Sequence, residues 1–73
     1  MAQELNTKNL SHLIEHWIEH NDSHTKSFVE WAQKAKADGF LDAAEEILEA
    51  AKKVEEANEH LKKANEGLFH LED

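Results

Sequence analysis

Histidine offers more chemistry than any other residue type in this sequence, and four of its six copies, His12, His16, His20 and His24, recur at every fourth position. In a helix that interval stacks side chains one turn apart along a face. Two histidines at i and i+4 can chelate one transition metal from a single helix, and the ladder contains three such pairs: 12/16, 16/20 and 20/24. A further ligand could come from a second copy of the chain, from a carboxylate such as Glu55, or from water. Imidazole and carboxylate without sulfur suit Zn²⁺, Ni²⁺, Co²⁺ or Cu²⁺, and the spacing does not separate them. The expected metal ligands are His16, His20 and His24. The same residues fit a second reading, in which His20 and His24 form a polar, pH-responsive layer inside a structural or protein-interaction bundle.

Other chemistries find less support. Cysteine is absent, which removes disulfides, thiolate metal sites, iron–sulfur clusters and covalent haem attachment. Di-iron carboxylate bundles use inward Glu-x-x-His motifs; here the order is reversed, His12-x-x-Glu15 and His16-x-x-Glu19, and both glutamates fall on the solvent side of the helical wheel. Haem beside His24 would compete for space with Trp17, Phe28 and Trp31. With no cysteine, no tyrosine and no glycine-rich loop, a nucleophile or acid/base pair is lacking, and the chain is not expected to be an enzyme.

The elements that must position the ladder are helical. Proline is absent, and the two glycines, Gly39 and Gly67, fall where helix ends are expected. Asn6, Thr7 and Asn9 are available to cap a first helix, and the cap is placed at Thr7 within two residues. Its apolar stripe reads Leu10, Leu13, Ile14, Trp17, Phe28, Trp31 and Ala35, centred near Trp17, and is interrupted at His20, Asn21 and His24. On this wheel His24 faces the core, His20 lies at its edge, His16 on the shoulder and His12 toward solvent. Asp38-Gly39 supplies the turn. The second stripe runs through Phe40, Ala43, Ala44, Ile47, Ala51, Val54, Leu61 and Leu68, with Asn58 and Asn65 also on it.

The fold class is therefore all-α: an antiparallel helical hairpin of about 8–37 and 40–67. Counting outward from the turn sets Trp31 level with Ile47 and His20 with Asn58, so a polar layer of His20, Asn21, His24 and Asn58 crosses the middle. The alternative is a three-helix bundle with a break near 21–24, where Asp22 or Ser23 could cap a fresh helix. Residues 1–73 form a single helical domain, with 1–6 as a frayed lead-in and 68–73 as a frayed tail. Seventy-three residues are few for an isolated core. Ile18, Leu41, Leu48 and Phe69 lie off both stripes, so a homodimer closing a four-helix bundle is the expected assembly.

Charge narrows the partners. Sixteen acidic residues against eight basic ones give a net charge of −8, which repels nucleic acid and anionic lipid. No apolar run is long enough to span a bilayer and the N-terminus does not read as a signal peptide. A cytoplasmic location is expected.

The run His16-Trp-Ile-Glu-His-Asn-Asp-Ser-His24, followed by Phe28 and Trp31-Ala32, resembles a small prokaryotic helical domain of unassigned function with the pattern His-Trp-x-x-His-Asn-x-x-His and a downstream Phe-x-x-Trp-Ala. The resemblance extends from Leu10 to about Leu68. It implies a link to metal trafficking, nickel among the metals, and singles out His16, His20, Asn21 and His24. His12 lies outside the motif.

Overall fold

In a computed structural model, which describes residues 5–70 and, of these, the side chains of 5–69, the chain is an antiparallel pair of helices. Helix α1 spans Thr7–Ala37 and α2 spans Leu41–His70. No strand occurs among the described residues. The expected lead-in and tail fall partly at 1–4 and 71–73, outside the described residues.

Each terminus follows from local chemistry. Asn6, one residue before the expected cap, has extended backbone and accepts a hydrogen bond on Oδ1 from the Asn9 amide at 2.8 Å. It thereby satisfies one of the orphan amides of the first turn. At the other end α1 closes in a Schellman arrangement: the Phe40 amide donates to the Ala35 carbonyl at 2.9 Å and the Gly39 amide to Lys36 at 3.1 Å. Gly39 takes φ +91°, a conformation that side chains disfavour. The Phe40 carbonyl then accepts the first α2 bond from Ala44 at 2.9 Å. Gly67 lies inside α2 rather than at its end, and residues 68–70, expected to fray, are helical. Leu68 is half-buried, so its packing carries the helix past the glycine.

The helices meet along a heptad seam. On α2 the residues that are not exposed are Ala44, Ile47, Ala51, Val54, Asn58, Leu61, Asn65 and Leu68, alternating steps of three and four. The facing row on α1 is Ser11, Ile14, Ile18, Asn21, Thr25, Phe28, Ala32 and Ala35, all buried or half-buried. A hydrogen bond from Asn21 Nδ2 to Asn58 Oδ1 at 2.9 Å fixes the register. It sets Ala32 level with Ile47 and Phe28 level with Ala51, large against small. Helix α1 is unbroken through 21–24, so the three-helix alternative does not hold.

The second stripe matches expectation from Ala44 onward, whereas Phe40 and Ala43, also expected on it, are exposed, and the first stripe is turned by about one residue. Ile14, Asn21, Phe28 and Ala35 lie on the seam as expected, but Leu13, Trp17, His20, His24 and Trp31, also expected inside, are exposed, and Ile18, Thr25 and Ala32 take their places. One residue is a rotation of about 100°. The physical reason is size. Packed helix axes lie about 8–10 Å apart, and the alanines at 32, 35, 44 and 51 bring these backbones close near the turn. An indole does not fit there, and Trp31 remains 60% exposed; Trp17, farther from the turn on the same row, is 44% exposed.

The product is a slab one helix thick, with principal extents of 53 × 30 × 13 Å. Its buried apolar residues are Ile14, Ala32, Ala44 and Ala51. No helix among the described residues is long and apolar enough to cross a membrane.

Candidate metal centre

The rotation of α1 separates the two polar features that the sequence placed together. The central polar layer contains no histidine. It is built on Asn58, 3% exposed, whose Nδ2 donates to Asp22 Oδ1 at 2.9 Å and to the Ile18 carbonyl at 3.2 Å while its Oδ1 accepts from Asn21. One buried amide thus closes three hydrogen bonds across the seam. His20 and His24, expected in that layer, are exposed on the adjacent face of α1. Sequence reasoning gave Asn21 and Asn58 their place but missed Asp22, whose i+1 relation to Asn21 is the signal that it flanks the same layer.

On the exposed face the histidines are not equivalent. Nε2 of His20 and Nε2 of His24 converge to 2.9 Å, with ring centroids 4.4 Å apart and planes at 87°. In the neutral pair one Nε2–H donates to the other ring's lone pair, and the tautomers set which. His16 stacks on His20 with centroids 6.4 Å apart and planes within 18°, outside hydrogen-bonding range of the pair. The far side of the pair is closed by Phe28, 5.9 Å from the His24 ring.

His12 is exposed and stands apart, in an open groove at the free end of the hairpin that is also lined by Ser11, Leu13, Glu15 and Phe69. His60 is exposed on α2. Of the three expected ligands, the structure brings His20 and His24 together and leaves His16 beside them. Among the described residues, no group of three or more histidine, aspartate or glutamate side chains is placed to hold one ion.

The 2.9 Å separation has a direct chemical meaning. Two nitrogens each about 2.0–2.1 Å from a common metal stand about 2.9 Å apart when they subtend a right angle, and about 3.3 Å apart at the tetrahedral angle. The pair therefore has the span of two adjacent ligands in a tetragonal nitrogen set, the geometry favoured by Cu²⁺ and Ni²⁺. A small side-chain rotation reaches the tetrahedral span of Zn²⁺.

The row through the pair carries Leu10, Leu13, Trp17 and Trp31 on either side of it. Leu10, Leu13, Trp17, His20, His24, Ser27, Trp31 and Lys34 form a second row with heptad spacing, and no acidic residue interrupts it. Lys34 Nζ lies over the Trp31 ring at 4.3 Å, a cation–π contact that covers one side of the indole. The chain's net charge of −8 is carried on other faces.

A family described as a domain of unknown function, DUF8180, matches residues 10–68, the span over which the sequence pattern is recognisable. That description carries no metal-trafficking link. No curated protein and no solved structure matches the chain.

Proposed function

The chain belongs to the DUF8180 family, and from the geometry of its histidine face we propose that it is a divalent transition-metal-binding helical module, acting in trafficking, storage or sensing and not in catalysis. The observation that carries this reading is the convergence of His20 Nε2 and His24 Nε2 to 2.9 Å on an exposed face. The pair is reachable from solvent, so binding needs no opening of the core. The ligand pair is His20 and His24, with His16 one turn away as an auxiliary donor after a rotamer change. The ions that fit are Cu²⁺, Ni²⁺, Co²⁺ and Zn²⁺, with affinity rising toward Cu²⁺ along the divalent series. A cytoplasmic setting belongs to the same reading.

Calorimetric titration of the tag-free chain with each ion tests it. His20→Ala and His24→Ala each weaken binding by more than about ten-fold, or 1.4 kcal/mol, the double variant loses no more than either single one, and His12→Ala is silent. Proton competition for imidazole makes the affinity fall on acidification. Wild-type affinity no better than that of either single-histidine variant would end the metal reading.

A second reading is a helical interaction module, favoured by Leu13, Trp17 and Trp31 standing exposed on one face. In that case the histidine variants leave metal response unchanged, whereas Trp17→Glu or Trp31→Glu abolishes association.

A further inference from the structure

Two imidazoles fill only part of a metal ion's coordination sphere, and the row that carries them has a symmetric spacing. The row on α1 is symmetric about the level of Asp22. Its positions 10, 13, 17, 20, 24, 27, 31 and 34 pair so that each couple sums to 44. A two-fold axis crossing α1 at right angles there lays the helix antiparallel on its mate, the isologous arrangement that dominates homodimers. Leu13 then lies level with Trp31 of the second copy, twice, and Trp17 lies level with Ser27. His20 and His24 meet His24 and His20 of the second copy at the centre.

Helix α2 repeats the same symmetry. By the register of Asn21 with Asn58, the level of Asp22 corresponds to Ala57. Around it, Ala50 and Ala64 stand symmetrically about Ala57 on the flank of α2 that adjoins this row, with Glu46, Lys53 and His60 beside the alanines, all exposed. Small side chains there allow a second slab to approach closely.

The geometry points to a metal site shared by two copies of this chain, in which His20 and His24 from each supply four imidazole ligands to one divalent transition-metal ion. This inference rests on the metal-binding reading above and adds the occupant of the remaining coordination positions. Two observations carry it beyond the pair itself. First, a single chain as folded brings no third ligand to the pair: His16 stands outside bonding range of it, and no group of three candidate ligands is placed together among the described residues. Second, the area fits. The chain exposes 6093 Å², whereas a compact monomer of 8.4 kDa exposes roughly 4,600 Å². The excess of about 1,500 Å² exceeds the roughly 800 Å² that each partner hides in an ordinary stable interface. The α1 row carries no carboxylate, so two chains of charge −8 can bring these rows together without placing like charges in contact there.

Sedimentation velocity on the full chain, with and without Cu²⁺ or Ni²⁺ and with bound metal quantified, tests the proposal. The expected species is a dimer holding one ion per two chains, in which metal tightens association at least ten-fold. His20→Ala with His24→Ala removes the metal and that ten-fold gain. Trp31→Glu, at an exposed position, dissociates the dimer while circular dichroism shows the hairpin intact; Leu13→Glu does the same from the other side of the same contact. The sequence lacks cysteine, so Ala37→Cys carries a single spin label. The antiparallel arrangement places the two labels about 45 Å apart along the axis.

One ion per monomeric chain would overturn the shared site and leave the metal reading standing. A dimer that binds no metal would overturn both, and a dimer that binds metal without tightening would overturn the shared site alone. Labels closer than about 25 Å, which an arrangement preserving the helix level requires, would overturn the antiparallel contact.

Discussion

Asn58 decides more about this hairpin than any apolar residue. A buried primary amide costs stability unless its hydrogen bonds are met. Asn58 meets three, to Asn21, Asp22 and the Ile18 carbonyl. Asn58→Ala leaves the Asn21 side-chain amide without its acceptor and opens a small void, and is expected to cost about 2–3 kcal/mol in urea denaturation. Replacing both Asn21 and Asn58 by leucine removes the polar groups together and is expected to leave stability equal or higher. A large loss in the double variant would mean that the layer stabilises the fold rather than specifying its register. At this scale the sequence showed which residues were polar within a stripe, and the spacing of His20 and His24 was legible as two imidazoles within reach of each other. Which way the histidines faced was not. Two rows with the same heptad spacing run side by side on α1, and the larger aromatics drew the wheel toward the wrong one.

At the scale of elements, length, caps and turn follow from short-range chemistry, and the two glycines separate two effects that act oppositely. Gly39 sits at φ +91° with nothing within 4 Å of where a Cβ would stand, so only backbone conformation opposes substitution. Gly39→Ala is expected to destabilise by about 1–2 kcal/mol. Gly67 also has open space around it but lies within α2. Gly67→Ala is expected to stabilise by about 0.5–1 kcal/mol, because alanine restricts the unfolded chain and favours helix. Chemical denaturation of the two variants at one chain concentration checks both signs. If both moved the same way, the turn would not depend on the left-handed conformation of Gly39.

For the whole molecule, a slab one helix thick with a charge of −8 is held by a thin core against its own electrostatic field. Salt from about 10 mM to about 1 M shortens the screening length from about 30 Å to about 3 Å. At fixed chain concentration and without metal, this is expected to raise stability by about 1 kcal/mol, a shift of roughly 4–8 °C in the thermal midpoint. No shift, or a lower midpoint, would show that the acidic faces are not under strain. The small intramolecular core also explains why Leu13, Trp17 and Trp31 remain in reserve: a two-helix seam has room for one stripe per helix, and α1 carries two.

Two long helices joined at Asp38-Gly39 are written into the chain locally, because caps, turn residues and apolar spacing act within a few residues of themselves. The seam of α2 is legible in the same way, since only one stripe is available there. The choice between the two rows of α1 belongs to the packed pair of helices instead. It depends on how closely the alanines of both helices let the backbones approach and on where Asn58 finds its hydrogen bonds, and neither is a property of α1 alone. The consequence is a one-residue rotation: asparagines close the core, and the His20–His24 pair is turned outward.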